Sequence, residues 1–597
     1  MSADAESFDR FACSWRGYAL IALIALTSAL FGAGVVPVMD RDEARFAQAS
    51  RQMVESGDYV RIRIQDEERS KKPVGIHWLQ AASVHVFEPI THRLNEIWMY
   101  RVPSALGVLM AALATLWAGA RLIGPRAAFW GAALFASGLL LGFEGMTAKT
   151  DAALCGFTTL ALAALAHLYM RSPSPRGEGA GGGAKLAVKT PEQSAGHISD
   201  AGASPHPPLL QERGLALTFW AALGAAILIK GPIAPLIVAL TLFPLALWER
   251  RWRWMKPLAW WAGPVLMLLI VLPWMVAIYQ ATNGRFFAEA IGHDLGSKVS
   301  GGSEGHSGPP SYHLLLLSVL IFPATFALPF AARLTWQTLR APRAEETLRG
   351  LRFLIAWLLP SFVMFELTPT KLPHYPLPLY PALALLCGAG LAAALDGKWR
   401  VAKWIGVALS ALVGVAAVAL ITQAAPLVDP ATQGLVTSLA IAGALAVVAM
   451  LAMFAFASKV SMRVAAGVVC ALVLSFSVRQ ILLPLAHGAQ PTAQAAAALE
   501  AAGLTSRPLW VVGYRETSIV FSTRTDAHLT RGDDAGQRAA RGDAVIVEQG
   551  DLVALQAALN ARDLTFAAST AHVRARNIGN GDRVTLNVGT IQPAARN

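Results

Sequence analysis

The 597 residues carry 55% hydrophobic and only 15% charged side chains, and the mean hydropathy is +0.47. That balance excludes an ordinary soluble globular protein of this length and commits much of the chain to apolar spans. The formal charge of +12 fits cytoplasmic anchoring loops and contact with anionic membrane lipid, and no nucleic-acid partner is implied. Cys13, Cys155, Cys387 and Cys470 stand singly with no CxxC pair, which argues against a zinc cluster or a disulfide framework.

Apolar runs of spanning length, about 20 residues each, number about thirteen. Their centres lie near residues 27, 111, 135, 160, 222, 240, 267, 323, 359, 385, 413, 445 and 475. The first, from about Tyr18 to Val38, is long for a signal-peptide core and reads as a retained helix. Alternate loops differ in charge. Arg121 and Arg126, the Arg250–Arg253 run with Lys256, Arg333 to Arg352, Lys398 to Lys403, and Lys459 with Arg463 fall on one side, which is therefore cytoplasmic.

The outside loop 39–98 breaks that rule with nine cations between Arg41 and Arg93, and Lys149, Lys230, Lys298 and Lys371 sit singly in other outside loops. Cations kept on the disfavoured side suit an anionic ligand such as phosphate, although a long folded loop also escapes the charge rule. Within the loop, Phe46, Ala47, Met53 and Val54 form one helical stripe, and Arg45, Gln48, Gln52 and Glu55 another. This predicts an amphipathic helix at the membrane surface, with Asp40 or Asp42 as its N-cap. Pro73 then sets Lys72 just before a second surface helix, near free backbone N–H groups that suit a phosphate.

Asp151, in Lys149-Thr150-Asp151, stands at the edge of an apolar helix, either as a cap or as a functional carboxylate. Residues 171–214 are rich in Gly, Pro, Ser and Ala without periodicity and read as a disordered cytoplasmic linker. His293 and His306 in the 280–312 loop offer no metal-ligand spacing, so a divalent metal is not indicated, and the cofactor is left open. Thr368 to Pro376 is punctuated by prolines and offers Lys371 and Tyr375 at short spacing. The tail from 490 reads as a small α/β domain. Its strand-like runs are Leu509–Tyr514, Ser518–Ser522 and Ala544–Glu548, with a helix near Asp551–Asn560 and a hairpin turn at Asn580-Gly581.

Several of these segments occur together and in order: Asp42-Glu43-Ala44-Arg45-Phe46-Ala47, Ser56-Gly57-Asp58-Tyr59, Lys72-Pro73, Tyr100-Arg101-Val102-Pro103-Ser104, Asp151 and Lys371-Leu372-Pro373-His374-Tyr375. Over roughly residues 15–390 the chain thus resembles the aminoarabinose-transferase and protein O-mannosyltransferase superfamily, membrane glycosyltransferases of the C fold class that use polyprenyl-phosphate sugars. The resemblance implies a multi-pass bacterial inner-membrane enzyme with a periplasmic cavity. It implies catalytic carboxylates at Asp42 and Asp151, supported by Glu43 and Arg45. It implies a donor phosphate held by Lys72 and Tyr375, with Lys298 and Lys371 as further cations. The acceptor would be lipid A, another envelope glycan or a protein. One departure is Lys71, which stands where aminoarabinose transferases tend to carry an acid, so a metal site using that acid does not carry over. A polytopic transporter or lipid flippase is the alternative, and a structural membrane protein with a periplasmic binding domain a third reading; no internal repeat supports the transporter. The expected division is 1–170, the linker, 215–489, and a periplasmic domain over 490–597.

Overall fold

The computed structural model describes residues 3–171, 207–250, 252–295, 307–341, 348–394, 399–569, 572–577 and 581–594. Among these, eight helices are long and apolar enough to cross a membrane, and up to eleven if each of three bent helix pairs is one span. Every apolar run read from the sequence falls on this set or on the two shorter apolar helices Ile233–Glu249 and Leu377–Ala393. Three of the runs are bent: Glu6–Cys13 and Trp15–Leu30 meet at 65°, Pro125–Ala136 and Leu139–Gly145 at 58°, and Tyr312–Leu320 turns by 116° into Ala324–Arg340.

The elements that carry the site follow in chain order. Helix α1 (Asp42–Ser56) has Asp42 and Glu43 in its first turn, where carboxylates complement the helix dipole. Gly57, at φ +70°, ends it and donates its N–H to the Met53 carbonyl. A short hairpin of β1 (Arg63–Ile64) and β2 (Glu67–Glu68) leads to α2 (Gly75–Thr91). Then come α3 (Leu139–Gly145), α4 (Asp151–Arg171) and α5 (Pro207–Lys230). The described part of α5 therefore begins inside the stretch expected to be linker; residues 172–206 lie outside the described residues.

Two close approaches depend on glycine. A Cβ at Gly107, on the Ile97–Leu122 helix, would stand 2.6 Å from the Ala152 backbone, so its absence lets the start of α4 pack against that helix. A Cβ at Gly75 would stand 2.7 Å from the Leu228 carbonyl, so the first turn of α2 lies directly on the end of α5. Both contacts converge beside Asp151 and Lys230.

After the last apolar helix the chain forms a six-stranded mixed sheet in the order β4-β3-β5-β8-β6, with β7 beside β8. Its strands are β3 (Leu509–Val512), β4 (His528–Thr530), β5 (Ala544–Glu548), β6 (Leu564–Ala568), β7 (Val573–Arg576) and β8 (Arg583–Pro593). β3 runs parallel to β4 and β5, while β8 runs antiparallel to β5, β6 and β7. Side chains alternate as a strand requires: Leu509 and Val511 pack with Leu499, and Trp510 and Val512 pack with Leu555 and Leu559 on the other face. Of the expected hairpin turn, Asn580 lies outside the described residues, while Gly581 takes φ +82° just before β8, the antiparallel neighbour of β7. The strand expected over Ser518–Ser522 is instead a helix, α6 (Thr517–Ser522). Its β-branched residues favour a strand, but Ser518 is drawn to Asp40 and Phe521 packs edge-on against Tyr100, so tertiary contacts override the local preference.

Candidate active site

Asp42 and Glu43 begin the same helix and do different things. Glu43 is 2% exposed and receives Arg101 in a fork, Nε at 2.9 Å and Nη2 at 2.8 Å. It also accepts the Met39 and Ala148 N–H groups, and Arg101 donates to the carbonyls of Ala33, Val36 and Pro37. This pair ties the end of the first span to α1 and to the loop before α4. Asp42 is left exposed, with only a 3.9 Å contact to Arg45. Neither Asp40 nor Asp42 is the N-cap: Arg41, at φ +65°, holds that position with no side-chain bond, and Asp40 accepts hydrogen bonds from Ser518 and Thr492. Burial, partly offset by those bonds, raises the Asp40 pKa.

Asp151, 5% exposed, is the first residue of α4. Its Oδ1 accepts a hydrogen bond from Lys230 Nζ at the end of α5, and its Oδ2 lies 3.7 Å from His374 Nε2. The other nitrogen of His374 lies 3.7 Å from Glu144 Oε1 on α3, and Glu144 in turn takes Lys149 Nζ at 3.1 Å. Three chain segments thus bring two buried carboxylates, two ammonium groups and an imidazole into one cluster, and Asp42 also acts electrostatically on Lys149. Burial opposes the charge on Lys149, but Glu144, Asp151 and Asp42 outweigh it and raise its pKa. Burial lowers that of His374 despite the carboxylates on either side. Lys230 Nζ sits 5.2 Å from the centre of the Tyr375 ring, within cation–π range.

The remaining sequence candidates divide. Lys72 and Tyr375 are both half-buried, Lys72 in the turn just before α2, whose start lies against α5. Lys371 is buried, and its ammonium donates to the Phe365 and Glu366 carbonyls at 2.8 and 2.5 Å and lies 3.8 Å from the Glu366 carboxylate. Lys298 and His306 lie outside the described residues. Glu144 and His374 were missed as site residues, and Lys149 and Lys230 were noticed only as misplaced cations. The signals were present: Glu144 is a carboxylate inside an apolar run, and His374 stands inside the Lys371–Tyr375 motif. Among the described residues no three of His, Cys, Asp and Glu converge to hold a metal ion.

A polytopic helical membrane protein with a charged cluster under its first outer loop is the class that fold and site define. The model of the dolichyl-phosphate-mannose-protein mannosyltransferase family matches residues 207–285. The undecaprenyl phosphate-alpha-4-amino-4-deoxy-L-arabinose arabinosyl transferase of Pseudomonas aeruginosa is 31% identical over 364 residues, 59% of this chain and 55% of that one. Its counterpart from Edwardsiella ictaluri is 26% identical over 400 residues, 65% and 62% of the two chains. In both cases the match spans less than two thirds of the relative's length. The crystal structure of ArnT from Cupriavidus metallidurans bound to undecaprenyl phosphate superposes with a TM-score of 0.68 at 22% identity, over 96% of this chain and 97% of that one, and so shares the fold. Over part of its length the chain is thus similar in sequence to the mannosyltransferase family model and to the two arabinosyl transferases, and over nearly all of it the chain shares the fold of ArnT.

Proposed function

We propose that the chain transfers a sugar, a pentose or a hexose, from a polyprenyl-phosphate carrier to lipid A or another envelope acceptor. The transfer takes place on the periplasmic face of the bacterial inner membrane. The observation that carries this reading is the buried Asp151–Lys230–His374–Glu144–Lys149 cluster beneath Asp42. In the reaction the bond from the anomeric carbon to the carrier phosphate breaks and a bond to the acceptor oxygen forms. The departing polyprenyl phosphate gains negative charge, which preorganised cations stabilise without reorganising. Lys72 and Tyr375 are assigned to that phosphate, with Lys298 as a further cation. The sugar develops oxocarbenium character, which a fixed carboxylate stabilises. Asp151, fixed by its hydrogen bond from Lys230, suits this role. Asp42 is exposed and weakly paired, so it suits removal of the proton from an acceptor hydroxyl; an acceptor phosphate needs no base.

The division of the chain into two membrane blocks, a dispensable cytoplasmic linker and a periplasmic α/β unit from residue 490 belongs to the same proposal, as does a count of thirteen crossings once short and bent helices are included. Purified protein given a radiolabelled undecaprenyl-phosphate sugar and lipid A should release undecaprenyl phosphate in step with labelled lipid A. Translocation of the carrier in proteoliposomes without cleavage would instead favour a flippase.

A further inference from the structure

The polar stripe of α1 is partly covered by the C-terminal unit. Gln48 donates to Thr525 Oγ1 at 2.9 Å, Thr525 donates to Glu55 at 2.7 Å, and Gln65 reaches the Thr525 and Ala527 carbonyls at 3.0 and 2.6 Å. Arg51 donates to the Phe521 carbonyl at 2.7 Å. The C-terminal sheet unit is thereby fastened along α1, and beside the fastening lies a solvent-open cleft of about 790 Å³.

The chemistry of this cleft differs from that of the site below it. Two arginines, Arg51 and Arg524, face three carboxylates, Glu55, Asp66 and Asp526, so the lining offers no net positive field for a phosphate. Arg51 is already paired with Glu55, and Arg524 with Asp526. Ala527 alone among the lining residues is apolar, so the cleft's apolar surface comes from the stems of polar side chains and not from a wall of the kind an acyl or prenyl chain needs. Asp66 and the hydroxyls of Thr505 and Ser506 line the cleft without a hydrogen bond to the described residues. Closely spaced donors and acceptors of both kinds, with charge nearly balanced, match a polyhydroxylated ligand. The cleft begins nine to thirteen residues along α1 from Asp42, roughly 14–20 Å at the helical rise, so its occupant is not the sugar being transferred.

We infer that this cleft is a second carbohydrate site, binding neutral sugars of a long glycan-bearing acceptor while its reacting group lies at the Asp42–Asp151 cluster. The inference rests on the proposed glycosyl transfer for its purpose but not for its binding test. Contacts that are equally strong in the ground and transition states lower KM without raising kcat, and that is the part assigned to this cleft.

The test uses the full chain in detergent and a dephosphorylated core oligosaccharide released from lipopolysaccharide by mild acid. Saturation-transfer NMR should show the sugar protons in contact with the wild type and with Asp151→Asn. The signal should fall at least tenfold in affinity for the triple variant Asp66→Ala/Thr505→Ala/Ser506→Ala, whose side chains support no other part of the fold. In transfer assays the same variant should raise KM about tenfold for core-bearing lipopolysaccharide, with kcat unchanged, and leave lipid A stripped of core sugars unaffected. That last result also certifies folding. No oligosaccharide signal with the wild type, equal binding by the triple variant, or binding only of the phosphorylated oligosaccharide would each overturn the site. Oligosaccharide binding without transfer to any acceptor would leave the cleft standing and remove the proposed reaction.

Discussion

Asp42 and Glu43 show how little a residue's type says about its part. Both are carboxylates in the first turn of α1, yet Glu43 is locked into the Arg101 fork and Asp42 is left exposed beside Lys149. The motif order placed both near the site, but which of them turned inward depended on Arg101, 58 residues away. Breaking a buried pair leaves the other charge uncompensated, so Arg101→Ala should cost about 3–5 kcal/mol of stability, read from denaturation in detergent. A loss under about 1 kcal/mol would mean the fork is replaceable. His77 gives a second test. It is fully buried on α2, 2.8 Å from Ser50 Oγ of α1, and burial, with Arg69 nearby, lowers its pKa to about 3. Its unfolded value is about 6.5, so below that the unfolded chain takes up a proton that the folded chain refuses. Stability should therefore be full near pH 7 and decline as pH falls toward 3, by about 1.4 kcal/mol per pH unit from this group. In His77→Gln the acid slope between about pH 6.5 and 4 should flatten, as measured by thermal unfolding across that range.

At the scale of elements, periodicity identified helices better than it identified what covers them. The stripes on α1 were legible as an amphipathic helix at the membrane surface, but not the partner of its polar stripe. Part of that stripe meets the C-terminal unit through Gln48 and Glu55, with Arg51 beside them. No local pattern carries that information, because the partners lie more than 450 residues away. Ser518–Ser522 failed for the same reason: a short run of β-branched residues is decided by its neighbours, here Asp40 and Tyr100. Gly75 is the clearest element-scale test. A methyl group there meets the Leu228 backbone, which cannot yield as a side chain could. Gly75→Ala should cost about 1–3 kcal/mol and shift the Lys72 turn away from Lys230, with turnover falling more than stability predicts. Wild-type turnover in Gly75→Ala would show that the α2–α5 contact does not set the site.

For the whole molecule, hydropathy and charge agreed on a membrane protein with a soluble tail, and the apolar runs were found where helices are. The number of full crossings was not legible, because a run of apolar residues reads alike whether its helix is straight or bent at Ser137-Gly138 or Phe322-Pro323. Sidedness can be measured directly. Val553 is 77% exposed on the C-terminal unit and Cys13 is exposed ahead of the first span. In Val553→Cys, an impermeant maleimide applied to cells with a permeabilised outer membrane should label the introduced thiol and spare Cys13 until the inner membrane is opened. Labelling of Cys13 alone would invert the arrangement and put the cluster on the cytoplasmic face.

The central claim, that Asp151 and Asp42 act on the reacting sugar and acceptor while Lys72 holds the carrier phosphate, is tested most directly by pairing turnover with undecaprenyl-phosphate affinity for three variants in detergent. Asp42→Asn and Asp151→Asn should lower turnover at least tenfold while the carrier still binds, with Asn preserving size and hydrogen bonding. Lys72→Ala should weaken carrier binding roughly ten- to a hundredfold, the ~1.5–3 kcal/mol of a charge-assisted contact. Both Asn variants turning over like the wild type would contradict the account and leave the carboxylates as parts of the fold alone.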